Sequence, residues 1–300
     1  MAGQGKRGIF SRLLDRMSQY AIDLLTKPIK SYALHIPNDI AALKRHIRKG
    51  DVILIEGNER ISECIKYLTQ SSWSHSCLYV GDEALKHGPE LKAELLGRYG
   101  DEANHMLVEA LVESGVVLTP LSKYCNFNMR ICRPHGLTAS DQREVVNHAL
   151  SNVGHKYDFR NIIDLLRYFL PVTLVPARLR RHALQFGSGD PTRVICSSMI
   201  AECFHRVRFP VVPRYEPFPP GFEAGRPVTG FLGRFSRRKQ HAPGLLRMVS
   251  SSLVTPRDFD LSPYFAVIKF TVVENSRFDY HKLLWIEESD VTAEGLEKSA

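Results

Sequence analysis

Thr192-Arg193-Val194-Ile195-Cys196-Ser197-Ser198-Met199-Ile200-Ala201-Glu202-Cys203-Phe204 begins as a short β-branched approach and becomes a helical pattern at a cysteine. A thiol in the first turn of a helix feels the positive end of the backbone dipole and nearby unpaired N–H groups. These favour the thiolate and can also hold an oxyanion. Cys196 is therefore a candidate nucleophile, although taken alone it also reads as a buried structural thiol, since free cysteine is among the most buried residue types.

Upstream, Gly50-Asp51 turns the chain into Val52-Ile53-Leu54-Ile55, a β-branched run typical of a buried strand. Asp51 is placed to fix that turn through side-chain-to-backbone hydrogen bonds. Helices are expected at about 40–47 and 61–68, and a second strand over 74–80 closed by Gly81-Asp82. Residues 83–104 read as polar and irregular. Strands follow at 106–110 and 115–118, giving a β-meander, with another over Met129–Pro134. Next comes a helix over 140–151 with Ser140 as its N-cap, then a further helix over 162–170. The turn Gly154-His155-Lys156-Tyr157-Asp158 reads as structural, with Tyr157 a candidate cleft wall. Loop-like insertions are expected at about 171–192 and 210–258, the latter rich in proline at 210–227, and a strand over 264–273.

Three hundred residues with 44% apolar and 24% charged residues are enough for a packed core without a disulfide or metal staple. The net charge of +8 is uneven: residues 1–50 hold ten Lys/Arg against three Asp/Glu, and 281–300 hold two against five. From Ile9 to Leu25 apolar residues recur at three- and four-residue steps beside Lys6, Arg7, Arg12 and Arg16, and Pro28 stops the pattern. Such a helix can dock on its own domain or lie on an anionic membrane surface through residues 6–25, and the sequence leaves both open. Without aromatic–basic interleaving, the charge does not point to nucleic acid. Six cysteines form no CxxC pair, no secretory leader or transmembrane stretch is read, and the expectation is a cytoplasmic, peripherally membrane-associated or free protein.

Other chemistries find no support. The sequence contains no GxxxxGK[ST] loop, HExxH helix, EF-hand loop or GxSxG elbow, so no cofactor is expected. Cys125, Cys132 and His135 fit no common zinc spacing and read as strand residues, so no metal is expected either.

Trp73-Ser74-His75-Ser76-Cys77-Leu78-Tyr79-Val80-Gly81-Asp82, then Leu107-Val108-Glu109-Ala110, Gly115–Leu121 and Val194-Ile195-Cys196-Ser197-Ser198 form an ordered set. It resembles the circularly permuted NlpC-type papain-like cysteine hydrolases, the YiiX/YaeF-like branch that neighbours the lecithin:retinol acyltransferase group. The resemblance runs from about Gly50 to Phe204, with Pro256–Phe259 and Ser262–Phe265 similar to the family's closing segment. In that superfamily the histidine strand precedes the cysteine helix, as His75 precedes Cys196 here.

The resemblance implies an α+β fold, an antiparallel sheet packed on the cysteine-bearing helix; with the residue reading this gives an amphipathic helical extension at 1–48, a hydrolase domain at 49–275 carrying the two insertions, and a tail at 276–300. It implies Cys196 as nucleophile, His75 as general base and Glu109 as the third, polar member, with Glu113 close enough to be confused with it. In strand alternation His75 shares a face with Cys77 and Tyr79, which is expected to line a cleft closed by the Cys196 helix, with Glu109 beside it. Trp73 and Tyr79 are candidates for the substrate pocket or for core packing. The expected activity is a thiol hydrolase or acyltransferase acting on an amide or ester of a peptide or lipid through a thioester. The rival reading is a catalytically idle binding module of the same fold that docks on membrane or a partner protein.

Overall fold

The Gly50-Asp51 turn forms as expected. Gly50 takes a positive φ of 84°, and Asp51 accepts the Arg48 N–H at 2.8 Å. Asp51 is also clamped by the Arg133 guanidinium at 2.9 and 2.7 Å, which ties the start of the first strand to a later one. These features belong to a computed structural model that describes residues 27–28, 38–111, 114–155, 195–216 and 245–269. The amphipathic pattern at 9–25, the helix expected at 162–170, the insertion at 171–192 and Tyr157 lie outside the described residues, as does Glu113.

Strands β1 (Val52–Ile55), β2 (His75–Gly81), β3 (Met106–Leu111) and β4 (Gly115–Pro120) form the expected antiparallel meander. On the other side of β1 lie β5 (Met129–Pro134) and β8 (Phe265–Ile268), giving the order β4-β3-β2-β1-β5-β8. The strand read over 264–273 is described only as far as Ile268, and 270–273 lie outside the described residues.

Helices α1 (Ile40–His46), α2 (Arg60–Thr69), α3 (Pro89–Tyr99), α4 (Ala139–Ser151), α5 (Ile195–Arg206) and α6 (Pro256–Leu261) surround the sheet. Three expectations need correction. Residues 83–104 are not irregular: Pro89 occupies the first turn of α3, where its missing N–H costs nothing, and Leu91, Leu95 and Tyr99 form a thin stripe facing the core. The N-cap of α4 is Thr138, whose hydroxyl accepts the Asp141 N–H at 3.1 Å, while Ser140 sits one residue inside the helix. The span 210–258 is not wholly irregular, because its two ends pair as β6 (Pro213–Glu216) and β7 (Leu245–Met248), and α6 begins at Pro256.

The sheet has a core on each face. Val52, Leu54, Leu78, Val80, Met106 and Val108 point to α4 and α5, where Met199, Ile200 and Phe204 are fully or almost fully buried. Phe204 packs against Phe259 and, edge to face, against Phe265, joining α5 to α6 and β8. On the opposite face Ile53, Ile55, Cys77, Tyr79, Leu107 and Ile131 pack with Leu43 of α1, Leu121 and Tyr124. Residues 40–47, assigned by sequence to the N-terminal extension, thus contribute to the core of the sheet. Among the described residues no helix is long and apolar enough to cross a membrane.

Candidate active site

His75 is the first residue of β2, and its Nε2 lies 2.7 Å from Oε2 of Glu109 in β3. Glu109 is fully buried, yet its carboxylate is well supplied with donors. Thr119 Oγ1 and Lys123 Nζ each donate to Oε1 at 2.6 Å, and the Tyr124 hydroxyl donates to Oε2. Burial by itself works against the charge, but His75 and Lys123 outweigh it and hold the carboxyl far below the usual range. Glu109 is therefore an anion that pins one nitrogen of the imidazole and leaves Nδ1 free for a sulfur.

That sulfur is supplied by α5. Cys196 occupies the first turn of the helix, is 4% exposed, and lies within hydrogen-bond reach of the His75 ring and of Ser76. The Ser197 hydroxyl donates to the Val254 carbonyl at 2.6 Å and anchors this turn of the helix. Desolvation disfavours the Cys196 thiolate, yet the adjacent His75, by its charge and its ring N–H, with the Ser76 backbone N–H and hydroxyl close by, brings its pKa below that of a free thiol. Burial likewise opposes protonation of His75, but the neighbouring Cys77 and Cys196 sulfurs, of which Cys196 is the one that ionises at neutral pH, push its pKa well above the ordinary imidazole value. Thiolate and imidazolium thus favour each other.

The fold places Cys196, His75 and Glu109 in one continuous line, but the approach differs from the one read in the sequence. The face that His75 shares with Cys77 and Tyr79 is not closed by the cysteine helix. It is filled by Leu121, Tyr124 and Leu43, while α5 lies on the opposite face against Leu78 and Val80. Contact is possible because His75 sits at the end of its strand, where the first turn of α5 reaches the imidazole past the sheet. His75, at 18% side-chain exposure, is the more open member of the pair.

Tyr79 stands four residues along β2 from His75, buried in the core, with its hydroxyl 2.8 Å from Nδ1 of His105. Trp73 is half-buried, donates from Nε1 to Asp260 at 3.1 Å and lies under the Arg130 guanidinium. Trp73 packs against the core under α4 and α5, and Tyr79 lies in the core of the opposite face. Cys125 is half-buried, Cys132 is a core residue of β5, and all six cysteines are free thiols.

Sequence reasoning did not single out Thr119, Lys123 or Tyr124. Register gave a signal for the first, since Glu109 pairs with Val117 and Thr119 follows on the same face. Lys123 and Tyr124 come from a single 3-10 turn, Leu121–Tyr124, that no periodicity marks.

Among the described residues one group could offer metal ligands: His75, Cys77 and Glu109, whose ligating atoms lie within 4.8 Å of one another. These groups do not fit a resident cation. Both oxygens of Glu109 are taken by hydrogen-bond donors, one of them the Lys123 ammonium. Cys77 is kept protonated, its pKa pushed up to about 11 by burial and by the Glu109 charge.

Residues 46–169 match the family model described as permuted papain-like amidase enzyme, YaeF/YiiX, C92 family. The match takes in His75 and Glu109 and ends before Cys196. Among solved structures the chain is similar to the metalloprotein yiiX from Escherichia coli O157:H7, at 16% identity and a TM-score of 0.41, over 74% of this chain and 96% of that one. No curated protein matches the chain. The resemblance read from the Trp73–Asp82 and Leu107–Leu121 stretches falls inside this match: over residues 46–169 the chain is similar to the permuted papain-like amidases.

Proposed function

We propose that the protein is a cysteine amidase that cleaves an amide through a thioester on Cys196. The observation that carries this reading is the Cys196–His75–Glu109 line, in which a helix-start thiol meets an imidazole fixed by a buried carboxylate. The family match supports an amide as the bond attacked.

In the first half-reaction the Cys196 proton resides on His75, and the thiolate attacks the carbonyl carbon. The C–N bond then breaks, and the imidazolium passes its proton to the leaving amine, which departs with both electrons of that bond. In the second half, His75 takes a proton from water as its oxygen attacks the thioester. The C–S bond then breaks with its electrons returning to sulfur, the carboxylic acid leaves, and the thiolate–imidazolium pair is restored. Glu109 stabilises the imidazolium and fixes its ring, without taking the proton itself.

The test is intact-mass detection of an acyl adduct on Cys196 after incubation with matched aryl amides and aryl esters. The expected result is an adduct from amides that is absent in Cys196→Ala and in His75→Ala. An adduct from esters alone would replace the amidase with an ester hydrolase or acyltransferase. If no adduct forms and iodoacetamide labels Cys196 no faster than Cys64, the fold serves as a binding module.

A further inference from the structure

We propose that Ser76 is a positioning residue that holds the Cys196 thiolate with its side-chain hydroxyl. This rests on the reading of Cys196 as nucleophile and names a group that the family match does not assign.

Ser76 follows His75 in β2 and, by strand alternation, points to the opposite face, the one covered by α5. On one edge it pairs with Leu54 of β1. On the other, the register with β3 begins only at Leu78, so β2 has no strand partner there at Ser76. Helix α5 packs against β2, with the Ser76 N–H and hydroxyl beside the Cys196 sulfur.

The side chain is the informative part. Ser76 is completely buried, and its Oγ is one of three buried side-chain polar atoms among the described residues without a hydrogen-bond partner. An unmet hydroxyl in a core is costly and is not retained for packing, since alanine would fill the same space without the penalty. Its neighbour is the Cys196 sulfur, a poor acceptor as a thiol and a good one as a thiolate. The hydroxyl is thus left unmet in the neutral state and satisfied when the nucleophile ionises. Together with the backbone N–H it gives the anion two donors from a single residue, on the side away from His75.

The experiment measures iodoacetamide labelling of Cys196 by peptide mass spectrometry, from pH 5 to 10, in the full chain carrying Ser76→Ala, Ser76→Thr or no change, with Cys64 as internal reference. For Ser76→Ala the labelling curve should move up by about one pH unit, with roughly tenfold slower labelling near pH 6 and little change near pH 10. Ser76→Thr, which retains a hydroxyl, should restore most of the rate. At the acid end of the range, where Cys196 is a thiol and the lost hydroxyl has no other partner, Ser76→Ala should melt at or above the wild-type temperature, whereas a structural hydroxyl would lower it. An unshifted labelling curve for Ser76→Ala, or a melting temperature lowered at that acid pH, overturns the proposal. If wild-type Cys196 labels faster than Cys64 while Ser76→Ala is unshifted, the role of Ser76 falls and the nucleophile stands. If wild-type Cys196 labels no faster than Cys64, the nucleophile itself falls.

Discussion

Replacing Glu109 by Gln removes one charge and almost no volume from the buried end of the line. The carboxylate accepts from His75 at 2.7 Å, from Thr119 and Lys123 at 2.6 Å and from the Tyr124 hydroxyl. An amide keeps one acceptor oxygen and turns an N–H₂ toward groups that are themselves donors. The charge-assisted bond to His75 falls in a class worth about 1.5–3 kcal/mol, which corresponds to roughly one to two units in imidazole pKa. The imidazolium that stabilises the Cys196 thiolate is weakened by the same amount, so labelling of Cys196 near pH 6 should slow by roughly ten- to a hundredfold. One of the two hydroxyls, Thr119 on Oε1 or Tyr124 on Oε2, loses its acceptor along with the charge that Lys123 pairs with, and a stability loss of about 2–4 kcal/mol follows. Iodoacetamide labelling against pH, with the His75 resonance followed by NMR and a thermal melt on the same sample, separates the two effects. A folded Glu109→Gln protein with an unchanged His75 titration and an unchanged Cys196 curve would refute the claim that this carboxylate sets the charge of the pair.

Truncating Phe204 to Ala removes a fully buried ring that joins α5 to α6 and β8, and should cost about 3–5 kcal/mol in denaturant unfolding. A loss under 1 kcal/mol would mean that this cluster does not hold the nucleophile's helix. Asp51→Ala strips the Arg133 guanidinium of a buried partner and opens the Gly50 turn, with a loss of about 2–4 kcal/mol expected from the same measurement. Acid should destabilise the fold through Glu109: its folded pKa is depressed, so its contribution is complete above its unfolded value of about 4.3 and is lost as pH falls below that. Urea midpoints at pH 7, 4 and 3 should fall in that order, and less steeply in Glu109→Gln. Cys77→Ala should leave Cys196 labelling within about twofold of wild type, because Cys77, with its pKa near 11, is protonated at neutral pH.

Much of the architecture was legible because one signal dominated it. Val52–Ile55, His75–Gly81 and Met106–Leu111 are apolar on both faces, and each is bounded by a glycine or a polar break, so their strand character follows from burial alone. The α3 segment was missed for the converse reason: only Leu95 of its eleven residues is fully buried, too little apolar content to stand out from a loop. Which side α5 would cover was also out of reach. Alternation correctly grouped His75 with Cys77 and Tyr79, but which face a helix takes depends on packing volumes beyond the strand, and here Tyr124 and Leu121 fill one side while Met199 and Phe204 fill the other. Glu109 was found as a polar residue in an apolar strand. Its partners Lys123 and Tyr124 belong to a turn whose position only the folded hairpin determines.

Two thiols stand beside the same imidazole, and the fold drives them in opposite directions. Cys77 lies inside a strand, where no helix dipole reaches it and the sulfur faces Oε2 of Glu109 at 3.7 Å. Burial and that negative charge raise its pKa, and the pull of His75 does not compensate. Cys196 is equally desolvated, but its helix start is apolar or polar without acidic residues in the first turn, and Ser76 supplies two donors where Cys77 meets a carboxylate. Proximity to histidine therefore does not select the nucleophile, since both sulfurs have it. What distinguishes them is the far side of each sulfur: an anion at Cys77, and donors with the positive end of a helix at Cys196. The same carboxylate that fixes His75 thus also keeps Cys77 protonated, which leaves Cys196 as the thiol that the proposed mechanism can use.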